Sequence, residues 1–208
     1  MKREVITILL FTAMSIAFIT PAAIQAQSSA MQQSGPAEST QMVSAHVALR
    51  QNVDASKFKP GDEIRTTLTG KVHLKNGTEL PSGTVIVGVV AEDDMQVSGT
   101  SKLALNFSKA ELKNGTTIPL KATIVGVYPP ETQDSEGNPL APGDQEAETW
   151  TNHTDSVDQI GALPGVDLHS NVASHESGVL VSTSKHDVKL KWGSEIALAV
   201  AAQSTVGE

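Results

Sequence analysis

The sequence predicts an all-β fold: a small β-barrel or sandwich of hairpins with one long acidic loop insertion. Three observations carry that expectation. Apolar residues alternate with polar or small ones in several short stretches, the period of half-buried strands. Gly, Pro and Asn-Gly signals separate these stretches, as in sandwiches and barrels. No stretch carries a long helical stripe.

The first strand is expected from Met42, where Val43, Ala45, Val47 and Leu49 alternate in "VSAHVALR". A Pro-Gly turn signal in "KFKPGDEI" follows. A second strand is read through Ile64, Thr66, Leu68, Gly70, Val72 and Leu74. Next, "VHLKNGTELPSGTVIVGVV" (72–90) aligns without gaps on "AELKNGTTIPLKATIVGVY" (110–128). Asn-Gly suits the positive φ values of a type I′ turn, so each copy is read as a tight turn and an extended return. Pro81 and Pro119 cannot donate a ladder hydrogen bond and belong at strand starts or edges. The glycines of "VIVGVV" and "TIVGVY" permit the bend or close approach that a small barrel requires. The repeat is read as one hairpin solution used twice rather than as an ancient duplication, because the motif is generic to hairpins.

Between the copies, Leu103, Leu105 and Phe107 share one face of a further strand. From Pro129 to about Glu176 the alternation is lost and Pro, Gly, Asn, Asp and Ser dominate, so residues 129–176 are read as a loop insertion. Strands resume with "GVLVSTS". "DVKLKW" then alternates Val188, Leu190 and Trp192, and "GSE" turns into "IALAVAA".

The chain begins with a positive pair, Lys2 and Arg3, an apolar run from Val5 to Ile19, and Ile24-Gln25-Ala26. That pattern predicts a signal peptide over 1–26, cut after Ala26. The alternative is an uncleaved anchor, for which the apolar run falls short of the roughly 20 residues of a membrane span. Residues 27–41 are polar and aperiodic, a disordered lead. A single β domain is expected over 42–206. No second apolar stretch has spanning length, so no transmembrane span is expected in the mature chain, which is read as exported, periplasmic or extracellular. With no Cys, neither disulfides nor thiolate chemistry are available, and stability must come from a core. The formal net charge is −8. Ten carboxylates and no Lys or Arg lie between Thr123 and Ser184, which argues against a nucleic-acid partner.

The succession "KPGDEIRTTL", "ELPSGTVIVGVV", "SKLALNFSKAELKNGTTIPLKA" and "VKLKWGSEIALAVA" resembles a known family. It is similar to the periplasmic β-barrel domain of the TrbI-like component of type IV secretion and conjugal-transfer channels. The likeness covers about 54–127 and 179–201. It implies a shared barrel. Family members carry an inner-membrane helix, a Pro-rich linker and an apolar helical hairpin that forms the outer-membrane pore. Here the insertion is acidic and unsuited to lipid, so the resemblance implies a stand-alone secreted relative and not a channel.

Candidate chemistry is sparse. Of six histidines (His46, His73, His153, His169, His175 and His186), three lie in the insertion, where a transition-metal site is conceivable. No pair has helical i, i+4 spacing and "HExxH" is absent, which favours solvated loop histidines. "DSEGN" places Asp134, Glu136 and Asn138 at alternate positions, which makes them candidate calcium ligands. A complete calcium loop also needs a later bidentate Glu and helical flanks, so an ordinary turn is preferred. Ser82 in "LPSGT" has no base placed beside it and "GxSxG" is absent. Asn76 and Asn114, though in glycosylation sequons, are read as turn residues. No catalytic or cofactor-binding residue is assigned, and calcium is the one cofactor suggested. The expected function is a non-enzymatic module with a structural or interaction role in the cell envelope and a protein or envelope component as partner. The alternatives are a metal-dependent hydrolase using 129–176 and an accessory component of a secretion channel.

Overall fold

A computed structural model of the chain describes residues 41–130 and 156–203. Thirteen strands and no helix occur among them. Six strands close an antiparallel barrel: β1 (Val43–Leu49), β3 (Glu63–Leu68), β6 (Val85–Ala91), β7 (Lys102–Glu111), β8 (Thr117–Tyr128) and β13 (Glu195–Ala202). Around the barrel the order is β6-β3-β1-β13-β8-β7, and β6 pairs back onto β7. The first and last strands are neighbours, with Val47 opposite Ile196 and Ala45 opposite Leu198.

Alternation explains the interior. Val43, Ala45, Val47 and Leu49 are buried while the residues between them are half-exposed. Ile64, Thr66 and Leu68 do the same on β3. Leu103, Leu105 and Phe107 point inward from β7. The Thr66 hydroxyl is satisfied inside by the Ile86 carbonyl at 2.8 Å. The interior is thus filled by side chains, as in other small barrels. Two glycines sit where the ladder shifts. Gly88 adjoins the irregularity between β6 and β7, and a Cβ there would stand 2.6 Å from the Phe107 ring. Gly126 adjoins the one between β8 and β13.

The repeat forms the same turn twice, but not the turn expected. Gly77 donates to the Leu74 carbonyl at 2.9 Å and Leu74 to the Thr78 carbonyl at 2.8 Å. Gly115, Leu112 and Thr116 repeat the pattern, both bonds at 2.9 Å. Positive φ falls on Gly77 (85°) and Gly115 (86°), not on the asparagines before them. A type I′ turn needs positive φ at both central residues. This is instead the three-residue loop in which a type I turn ends on a left-handed glycine. Asn76 and Asn114 contribute otherwise: each Oδ1 accepts the amide of the residue two further on, Thr78 at 3.0 Å and Thr116 at 2.9 Å.

After the turn the copies diverge. In the second, the return runs straight into β8, with Pro119 two residues inside its start and opposite Lys109. In the first, it stops after β5 (Glu79–Leu80), which pairs with β4 (Val72–His73) in a ribbon of its own. A turn closed by the Thr84 amide on the Pro81 carbonyl (3.1 Å) then starts β6. The strand read continuously from Ile64 to Leu74 is likewise two strands, broken after Leu68.

The reading of 129–176 as one loop needs correction over its second half. Residues Ser156–Leu163 (β9) and Val166–Asn171 (β10) form a hairpin, and β10 pairs with β11 (Gly178–Ser182). On β10, Val166, Leu168 and Ser170 are buried while Asp167, His169 and Asn171 are half-exposed. Asp167, the carboxylate of β10, occupies an outward position of a period-2 pattern. β11 docks on the first half of β7, so the sheet continues past the barrel as β7-β11-β10-β9. β11 is buried at every position because β7 and β10 flank it and apolar groups cover both faces.

β7 and β8 pair only near their shared turn, from Lys109–Pro119 to Glu111–Thr117. Further along, Ser177 bridges them. Its amide donates to Leu105 and its carbonyl accepts from Ile124, both at 2.7 Å, and its hydroxyl accepts the Phe107 amide at 2.9 Å.

The signal peptide expected over 1–26, all of the expected polar lead but Gln41, and residues 131–155 of the expected insertion lie outside the described residues. Among the described residues no helix is long and apolar enough to cross a membrane.

Candidate functional site

The site residues expected from sequence are scattered or lie outside the described part. Asp134, Glu136 and Asn138 fall in 131–155, as does His153. The other histidines sit apart. His46 Nδ1 is 2.9 Å from Glu195 Oε1 on the barrel exterior. His169 Nδ1 is 2.9 Å from Asp158, its cross-strand partner between β10 and β9. His73 lies 3.6 Å from Glu79 in the small ribbon, and His175 is exposed. Among the described residues no three His, Asp or Glu side chains are gathered to hold a metal ion. Ser82 donates to the Thr69 carbonyl at 2.9 Å, a turn contact.

Sequence reasoning passed over Glu176, which is 2 % exposed. One carboxylate oxygen accepts the Met95 amide at 2.9 Å and pins the 92–101 connection to the sheet. The other is buried with no partner among the described residues. Lys121 lies near enough to favour its own charged form through Glu176, though burial holds its ammonium pKa below the usual lysine range. Lys121 spends its own hydrogen bond on the Ser174 carbonyl at 2.6 Å.

A cavity of about 400 Å³ opens at the end of the barrel where β8 finishes and β13 begins. That is a usual size for a small-molecule site. Its apolar wall comes from Pro129 and Pro130 after β8, and from Leu163, Pro164 and Val166 around the β9–β10 turn. Its polar side comes from the end of β11 and the segment leading to β13: Ser182, Ser184, His186, Lys189, Lys191 and Ser194, with Asp187 as the carboxylate among them. The local order follows from sequence. Val188 and Leu190 anchor β12 (Lys189–Leu190) in the core, so Lys189 between them and Lys191 after them are exposed. The Ser194 amide closes a turn on the Lys191 carbonyl at 3.0 Å.

The lysines differ. Lys189 lies 3.3 Å from Asp54, a carboxylate held below its usual range by hydrogen bonds from Ser56 and then by Lys189. Lys191 forms no ion pair among the described residues. Ser194 is 1 % exposed and lines the cavity, and its hydroxyl bonds to none of the described residues.

Trp192 projects from the same turn. The sequence placed it on the apolar face with Val188 and Leu190, but it is 64 % exposed. The alternation stops because the chain turns at 191–194, where the Trp192 amide donates to Asn52 Oδ1 at 2.7 Å. Among the described residues it is the one large apolar side chain left exposed.

No protein-family model matches the chain, and no curated protein matches it.

Proposed function

We propose that the protein is an exported, non-enzymatic β-barrel module that acts by recognition in the cell envelope. The observation that carries this reading is the contrast between the barrel's filled apolar interior and its cavity end, where Trp192 stands exposed beside a cavity with polar and apolar sides. Exposed aromatic residues are enriched where proteins meet partners. Export rests on the charged, apolar and small-residue succession over 1–26. The closed barrel accords with the resemblance to the barrel of type IV secretion channels, and a stand-alone relative of that barrel is the form proposed.

Two measurements test the reading. Fractionation of cells expressing the full chain is expected to place it outside the cytoplasm with Gln27 at its N-terminus. A full-length cytoplasmic chain overturns export. A photo-crosslinking amino acid at Trp192 is expected to capture an envelope component that the same group at Lys75, in an exposed turn, does not. Equal capture at both positions, or none at either, overturns the placement of the recognition surface.

A further inference from the structure

We propose that the cavity at the end of the barrel binds a small organic anion with an apolar body, such as a medium-chain carboxylate. The proposal deepens the recognition reading and rests on it. Two features of the cavity converge on this ligand class. One wall is apolar: Pro129, Pro130, Leu163, Pro164 and Val166 present hydrocarbon and few donors. The rest of the lining supplies donors without a partner. Lys191 offers an ammonium that no described carboxylate pairs with, and the Ser194 hydroxyl, open to the cavity, has no hydrogen-bond partner among the described residues.

The Ser194 hydroxyl lines the cavity and can donate to a ligand oxygen there. An ammonium beside it makes an anionic oxygen the fitting group, since charge-assisted hydrogen bonds are about twice as strong as neutral ones. A neutral apolar ligand would fill the wall and leave both donors unmet. An inorganic anion would meet the donors and leave the wall wet. A cationic ligand would face Lys191 and a Lys189 already paired with Asp54, with Asp187 as the one carboxylate of the lining. The chain's net charge of −8 repels anions at long range. Lys191, unpaired among the described residues of an acidic protein, therefore marks a short-range contact and not a steering surface.

The test is two-dimensional amide NMR of the full-length protein titrated with octanoate, octanol, octylamine and inorganic phosphate. Octanoate is expected to move the amides of Gly165, Val166, Ser184, Lys191 and Ser194 saturably. Octanol, octylamine and phosphate are each expected to bind at least about tenfold more weakly. Lys191→Gln, a change at an exposed side chain, is expected to weaken octanoate about tenfold and leave octanol unchanged. Equal affinity for octanoate and octanol, insensitivity to Lys191→Gln, or shifts confined to other parts of the barrel would each overturn the proposal. Loss of octanoate binding while Trp192 still crosslinks its partner sinks the ligand class and leaves the recognition reading standing. Loss of both sinks the recognition reading too.

Discussion

A valine at Gly77 or Gly115 would meet open space, yet both changes are expected to destabilise the protein. Nothing lies within 4 Å of a Cβ at either position, so the cost is backbone alone. Holding a β-branched residue at φ near +85° costs about 1–3 kcal/mol. Asparagine tolerates the left-handed region better, so Gly77→Asn should lose clearly less than Gly77→Val. Chemical denaturation of the three variants checks this; equal midpoints for Val and wild type would contradict the turn. The importance of these glycines was legible in "LKNGT", because Asn-Gly marks a hairpin. The turn type was not, since type I′ and the glycine-ended type I turn share those letters. Trp192 was misread for a related reason. Alternation in "DVKLKW" gives no sign of where the chain leaves the strand.

At the scale of elements, the junction between β7, β8 and β11 depends on a single buried serine. Removing the Ser177 hydroxyl leaves the Phe107 amide unsatisfied in the interior. Ser177→Ala is expected to cost about 1–3 kcal/mol, the usual penalty for a stranded buried donor. Thermal unfolding measures it, and an unchanged melting temperature would mean that the β9–β11 layer is held by apolar packing alone. Composition hid this layer. Averaged over 129–176, acidic and turn residues dominate, but Val166, Leu168 and Ser170 already alternate with Asp167, His169 and Asn171. A shorter window would have found β10. The cavity was beyond any such reading. Its walls come from stretches near residues 130, 165, 183 and 190, which the pairing of β13 with β8 and of β10 and β11 beyond β7 brings together.

For the molecule as a whole, exterior ion pairs give stability a pH dependence of definite sign. Hydrogen bonds from Arg65 and then Lys109 hold the Glu111 carboxyl below its usual range, and Lys71 does the same for Glu79. A carboxyl whose pKa is depressed by folding stabilises fully above the ordinary carboxylate range. That contribution fades as pH falls through the range and below it. The melting temperature is therefore expected to drop on acidification from about pH 5 to pH 3, and Glu111→Gln should show a smaller drop. Identical pH profiles would show that the pairs seen on the surface contribute nothing.

The central claim is that the barrel is closed and filled, so that recognition falls to its end. Native-state amide hydrogen exchange tests closure directly. A closed barrel has no edge, and β6 would be a margin of the sheet if its pairing with β7 were open. The expected result is one slowly exchanging set spanning β1, β3, β6, β7, β8 and β13, with a common opening free energy close to that of global unfolding. The outer edge of β9, the last strand of the extension, is expected to exchange faster. Rapid exchange along β6, with β3 and β1 still protected, would contradict closure and the placement of function that follows from it.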